Sequence, residues 1–332
     1  MRVGVDGRSL VGPRRGIGHF VAGVLEALAA MPDVEVRVLQ PRSRAVHGTA
    51  ALLGRPRLDR RLGGVDVVWL PAPAPVAVSR DTAYVVTFHD VGFLERPGDL
   101  TAYERLWHRL ARPAVLARRA ARVIAPTAAM AARIDALLGV DATVVGDGPG
   151  DPGPSPAPEA VAALRDRFGP YVLYVGALEP RKALDLLVAA HRGVEPALVM
   201  VGDGRLAAQL TGPNVHLLGR VDRTEKAALY AGALAVVLPS WLEGYGYPPL
   251  EGYAHGTPAI VADLPALRET AGAGALYVPP GDTPAFAAAM RELAGDEALR
   301  QRLAANGADA LRPRTWEATA AGLLAVLREA AA

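Results

Sequence analysis

The chain of 332 residues has no cysteine, so disulfides and thiolate metal sites are excluded, and a metal ion would depend on the seven histidines and the carboxylates. Lysine is almost missing too: Lys182 and Lys226 stand against 34 arginines. No apolar run reaches the roughly 18 uncharged residues that a membrane-spanning helix needs. The opening Met1-Arg2-Val3-Gly4-Val5 reads as a strand, not as a signal peptide. The expected location is the cytoplasm. Neither half opens with the G-x-G-x-x-G dinucleotide fingerprint, which disfavours a redox enzyme, and no H-E-x-x-H or Ser-His-Asp pattern occurs.

What is present describes a soluble α/β protein. Apolar residues make up 51% and charged residues 21%, with a net charge of +2. A mild excess of arginine in the first half fits a solvated face, an acidic acceptor or a membrane surface; no nucleic-acid partner is expected. β-rich runs at 2–6, 34–39, 65–70, 83–88, 122–127 and 142–145 alternate with helical stretches, which indicates a parallel sheet flanked by helices. Residues 146–158, GDGPGDPGPSPAP, hold nine Gly or Pro in thirteen positions and read as a hinge. The alternation then resumes with runs at 171–176, 196–202, 215–219, 233–239, 258–262 and 275–279. The reading is two doubly wound Rossmann-like domains, 1–150 and 151–312. The helical pattern near the end, 315–330, needs a surface to cover.

Candidate chemistry gathers at strand ends. In PSWLEGYGYPPLEGYAHGTPAI (239–260), Glu243 and Glu251 bracket a loop containing Gly244, Tyr245, Gly246 and Tyr247. The glycines and Pro248-Pro249 forbid one continuous helix there, so the spacing of the carboxylates is set by a loop. Glu243 suits sugar hydroxyls and Glu251 a ribose diol. In YVGALEPRKALDLL (174–187), Arg181 and Lys182 fall at an expected helix start near Lys182, where amide dipoles add to their charge and favour a phosphate dianion. A second anion site is offered by GRSLVGPRRGIGHF (7–20), read as a loop whose Gly16 and Gly18 let the backbone approach a ligand.

His89 and Asp90 follow a strand in TFHDVGFL, where they serve either a structural cap or the reacting sugar. Asp203, Gly204 and Arg220 occupy further strand-end loops and are candidates for holding a nucleotide. The stretch RLWHRLARPAVLARRAAR (105–122) has two readings: an ordinary helix with snorkelling arginines, and weak peripheral contact with the inner face of a membrane. Pro113 interrupts its amphipathic register and favours the first.

Taken together, these segments resemble glycosyltransferase family 4, retaining enzymes of the GT-B fold, and its mannosyltransferase-like group. The motifs are RGIGHF, FHD (88–90), VGALEPRK (175–182), VGDG (201–204), LLGRV (217–221), the Glu-x7-Glu segment with its following GTP, YVPPGD and RTWEATA. The resemblance implies two Rossmann-like domains facing across a cleft, with a C-terminal helix, 313–332, packing back onto the first. It implies hexosyl transfer from a UDP- or GDP-linked sugar to a saccharide, lipid-linked or small-molecule hydroxyl. By position, Arg181 and Lys182 take the donor diphosphate, Glu251 the ribose, Glu243 the sugar, and Gly16 abuts the phosphate or sugar. His89 stands at the reaction centre on the acceptor side.

No cofactor or metal is expected. No D-x-D pair occurs, so Arg181, Lys182 and helix-start amides must neutralise the leaving group. Departures from the family's pattern are His19, His255, Tyr245 and Tyr247, of which the two tyrosines bear on sugar choice, and a first domain shorter than usual. Rival readings are a nonhydrolysing nucleotide-sugar epimerase, which needs no acceptor, and a catalytically silent nucleotide-sugar-binding subunit.

Overall fold

The computed structural model describes residues 1–12, 16–40 and 53–332. They form two compact units, Met1–Gly148 with Arg314–Ala332, and Pro149–Pro313. Unit 1 holds a six-stranded parallel sheet of β1 (Arg2–Asp6), β2 (Glu35–Leu39), β3 (Val67–Leu70), β4 (Tyr84–Thr87), β5 (Arg122–Ala125) and β6 (Thr143–Val144), in the order β2-β1-β3-β4-β5-β6. Its central strands β3 and β4 are buried throughout because both of their faces are covered, whereas β2 and β6 at the edges are not. In β3, Val67 and Trp69 join one core while Val68 and Leu70 join the other.

The helix Trp316–Ala331 belongs to unit 1 although it ends the chain. Thr315 caps it by accepting from the Ala318 amide, and its Ala320, Leu323, Leu324 and Leu327 pack with Val3, Val5, Phe20 and Trp69. Its apolar stripe therefore supplies part of the first sheet's cover.

Unit 2 holds a second parallel sheet of β7 (Tyr171–Val175), β8 (Ala197–Val201), β9 (Val215–Gly219), β10 (Ala235–Leu238), β11 (Ala259–Ala262) and β12 (Ala275–Val278), ordered β12-β11-β10-β7-β8-β9. The strand order reverses between β7 and β10. A reversal of strand order is the place where doubly wound sheets bind ligands. In unit 1 the corresponding reversal lies between β1 and β3.

Local expectations need correction at three places. Gly16 opens the helix Gly16–Ala29 and Gly18 is buried in its first turn, so neither lies in an open glycine loop; residues 13–15 of that segment fall outside the described residues. Arg181 and Lys182 sit in a single 3-10 turn, Pro180–Lys182, and the helix begins two residues after Lys182, at Leu184. Ala183 between them adopts a left-handed conformation, φ 52°, which ends the turn and re-aims the chain. The arginine-rich stretch is two helices, Ala102–Ala111 and Pro113–Arg119, because proline can start a helix but not continue one, with Arg112 left-handed between them.

Candidate functional site

The loops after β7 and β10 are stitched together at the reversal in unit 2. The Trp241 amide donates to the Arg181 carbonyl at 2.9 Å. Lys182 Nζ donates to Glu243 Oε1, which also accepts from Ser240 Oγ at 2.6 Å. Arg181 Nη1 stands 4.0 Å from Glu243 Oε2 and its Nε 3.5 Å from Glu179. Burial by itself raises the Glu243 carboxyl; Lys182, Arg181 and Ser240 more than offset this and hold it below the usual carboxylate range. The expected phosphate cation and the expected sugar carboxylate are thus one hydrogen-bonded pair.

Glu251 lies on the helix Tyr247–Tyr253 and is also buried. Its Oε1 accepts from the Asp151 amide at 2.9 Å; its Oε2 accepts from Tyr230 Oη at 2.7 Å and Lys226 Nζ at 3.4 Å. Lys226 also donates to the Asp151 carbonyl, and Arg223 Nε meets the Asp151 carboxylate at 2.9 Å. His255 Nε2 donates to the Pro152 carbonyl, 2.9 Å away, and the ring stacks on Tyr230. These contacts fasten the start of unit 2 to the carboxylate expected to hold a ribose.

Two buried tyrosines lie near the acids. Burial raises the Tyr174 hydroxyl well above its usual value, and the nearby Glu243 charge adds to this. Tyr230 is raised in the same way, by burial and then Glu251, with a further contribution from Tyr174. Both phenols stay protonated and act as hydrogen-bond donors, Tyr174 to the Ala177 carbonyl at 2.8 Å.

The remaining candidates of this unit frame the same rim. Gly246 has φ +88°, a conformation that favours glycine, and it leads into Tyr247 at the helix start. The Tyr245 ring is buried in the core and meets the Tyr247 ring edge-on at 5.2 Å. A Cβ on Gly204 would stand 2.4 Å from the Leu178 carbonyl oxygen, so only glycine allows the loop after β8 to lie on the loop after β7. Asp203 Oδ2 and Arg220 Nη1 are 3.5 Å apart, both about half exposed, a pair too solvated to contribute much stability.

In unit 1, Arg8 bridges the reversal. Its Nη2 donates to the Ala72 carbonyl at 2.8 Å and the Pro73 carbonyl at 3.1 Å, beyond β3, while its Nε is 3.4 Å from Asp6 Oδ2. Burial pushes the guanidinium down from its ordinary value against the opposing Asp6 charge. Trp107 lies under the guanidinium at 5.2 Å. His108, beside it, stacks on Phe93 at 4.5 Å and is lowered by burial.

Farther along the rim, Asp90 Oδ1 accepts from the Gly92 amide at 2.9 Å and shapes the turn after β4. His89 faces Asp147 through Nδ1 at 3.4 Å. Sequence reading did not find Arg8, His108, Asp147, Ser240 or Tyr230; Lys226 was visible only as one of two lysines.

Comparison with known proteins assigns this architecture. The model described as "Glycosyltransferase Family 4" matches residues 14–148, and that described as "Glycosyl transferases group 1" matches residues 169–296. A D-rhamnosyltransferase, WbpZ, of Pseudomonas aeruginosa is 37% identical over 153 residues, 42% of this chain and 40% of that protein. A phosphatidyl-myo-inositol mannosyltransferase of Mycobacterium leprae is 34% identical over 203 residues, 57% of this chain and 54% of that protein. The chain thus spans about half the length of the curated relatives it matches.

Among solved structures, sucrose-phosphate synthase of Thermosynechococcus elongatus superposes with a TM-score of 0.79 at 19% identity, covering 99% of this chain and 98% of that one. Anabaena HepE in complex with UDP and glucose superposes at 0.75, also at 19% identity, with 99% of each chain covered. At such identities the likeness is one of fold, the GT-B architecture. With one family model on each unit and the two parallel sheets of that fold, the chain belongs to the family 4, group 1 glycosyltransferases.

Proposed function

We propose that the chain is a retaining glycosyltransferase that moves a hexosyl group from a nucleotide-diphospho-sugar, UDP- or GDP-linked, to a saccharide, lipid-linked or small-molecule hydroxyl. The observation that carries this reading is the Lys182–Glu243 pair at the strand-order reversal of unit 2, flanked by Arg181 and Ser240. A diphosphate arriving there meets two cations on one turn. Arg181 can bind its oxygens bidentately while Lys182 acts as a point charge between phosphate and Glu243. Glu243 in turn is held ionised, ready to accept from sugar hydroxyls. Glu251 is left with acceptor capacity for a ribose diol after its three protein donors, since a carboxylate has about four lone-pair sites.

Asp203, Gly204 and Arg220 border the nucleotide, and the backbone of Gly244 to Tyr247 borders the sugar. His89 and Asp90 act on the acceptor side. The acceptor oxygen forms its bond to the anomeric carbon on the face from which the phosphate oxygen departs, and that oxygen takes the acceptor's proton. Arg181 and Lys182 meet the charge left on the diphosphate, so the reading requires no metal or cofactor. A donor linked to UDP gains support from HepE, whose structure is described with UDP and glucose.

A thermal-shift screen against UDP-, GDP- and dTDP-sugars, followed by transfer assays with the stabilising donor, tests the proposal. A ligand at 100 times its dissociation constant stabilises by roughly 2.7 kcal/mol. Stabilisation by none of the three sinks the reading, and product formed from donor alone replaces it with an epimerase. Weak membrane contact is a separate element of the reading, supported by Tyr103 and Leu106, which are 51% and 53% exposed beside Arg105 and Arg109. Co-sedimentation with anionic vesicles tests it.

A further inference from the structure

The two ring nitrogens of His89 meet different surroundings. Nδ1 stands 3.4 Å from Asp147 Oδ2. Nε2 is buried and makes no hydrogen bond among the described residues. Phe20 holds the ring edge-on, with centroids 4.5 Å apart and planes at 76°. The His89 side chain is 14% exposed and that of Asp147 only 1%.

The backbone that carries Asp147 is fixed on both sides. The Val145 amide donates to the Ala125 carbonyl at 2.9 Å, continuing the ladder beyond β6. Thr319 Oγ1, on the helix Trp316–Ala331, donates to the Gly146 carbonyl at 2.9 Å. The indole of Trp316 lies 2.5 Å from where a Cβ on Gly148 would be, so it presses on the residue that follows Asp147. A carboxylate placed so firmly against one imidazole nitrogen has a direct chemical consequence.

From this geometry we propose that Asp147 is a positioning residue that keeps the proton of neutral His89 on Nδ1 and leaves Nε2 as a hydrogen-bond acceptor. A neutral imidazole carries one N–H and one lone pair, and an ionised carboxylate only accepts, so the nitrogen facing it bears the proton. The free nitrogen can then receive a hydroxyl proton but cannot donate to a phosphate oxygen. His89 is thereby assigned to a sugar hydroxyl, an assignment that rests on the transferase reading given above. The tautomer itself does not depend on that reading.

The test uses the full chain with 15N-labelled histidine and no ligand added. Long-range 15N–1H correlations near neutral pH read the protonated nitrogen, and His89→Gln identifies the His89 signals. The wild-type protein is expected to show the proton on Nδ1. Asp147→Asn, whose amide oxygen can accept from Nδ1, keeps that pattern, whereas Asp147→Ala mixes or reverses it. In transfer assays at saturating donor, Asp147→Ala is expected to lower kcat about ten- to a hundredfold, the size typical of removing the hydrogen-bond partner that orients a metal-ligating histidine. Donor KM stays unchanged and Asp147→Asn recovers most of the rate.

A wild-type proton on Nε2 overturns the inference, and this measurement needs no variant to fold. So does an Asp147→Ala protein with an altered tautomer and undiminished transfer. If no nucleotide sugar supports transfer at all, the functional reading fails while the ligand-free spectra still decide the role of Asp147.

Discussion

Lys182 carries a structural duty and, in the proposed reaction, a chemical one as well, which changes what its replacement should do. Breaking a buried ion pair by removing one partner costs about 3–5 kcal/mol, because the other charge is left uncompensated. Lys182→Ala is therefore expected to lose both transfer and stability. The double replacement Lys182→Met with Glu243→Gln removes both charges and should restore much of the stability without restoring transfer. Denaturant melts beside turnover assays separate the two effects; equal turnover in wild type and double variant would refute the phosphate role.

Glu243 also predicts a pH dependence. Its carboxyl is held below the ordinary value of 4.5 in the folded chain, so on acidification the unfolded chain takes up the proton first. The stabilisation is complete above that pH and is lost as the pH falls through the lower, folded value. Denaturant midpoints followed from neutral pH into that acid window should drop more steeply for wild type than for Glu243→Gln. Parallel slopes would remove Glu243 from the acid response.

At the scale of elements, the fold was largely legible. All twelve strands read from apolar runs are present, most of them shorter by a residue or two, because periodicity reports burial but not the last ladder hydrogen bond. The start of the helix after Lys182 was legible to within two residues; the turn that delays it depends on a left-handed Ala183, which no propensity favours. Pairings were least accessible. Lys182 and Glu243 are 61 positions apart, and their contact follows from β7 and β10 being neighbours, a fact of topology rather than of local sequence. Arg8 and Asp147 escaped notice for the same reason: their partners lie across the sheet.

Two loops make element-level predictions. Gly204→Ala puts a methyl group against the backbone of Leu178 and should destabilise by about 1–3 kcal/mol, as overpacking does, with weakened nucleotide binding. Calorimetry with and without donor checks both. Trp316→Ala opens space between Gly23 and Gly148 and should cost about 3 kcal/mol, near the low end for a buried tryptophan because this one is half-buried. An unchanged melting temperature would deny that the indole clamps the segment carrying Asp147.

For the whole molecule, the proposed charge balance can be probed without mutation. Transfer measured after dialysis against a chelator should equal that of the untreated protein, since two cationic side chains meet the leaving diphosphate. Abolished transfer, restored by a divalent cation, would show that Arg181 and Lys182 do not suffice.

The last helix of unit 1 imposes an order of events on synthesis. Residues Pro149–Pro313 form an uninterrupted segment and can fold as soon as they leave the ribosome, whereas the first sheet waits for residues 316–331 to cover one of its faces. The unit translated first is thus completed last. Until translation reaches those residues, Val3, Val5 and Trp69 lack part of their apolar cover, which makes the nascent first half the expected client of chaperones.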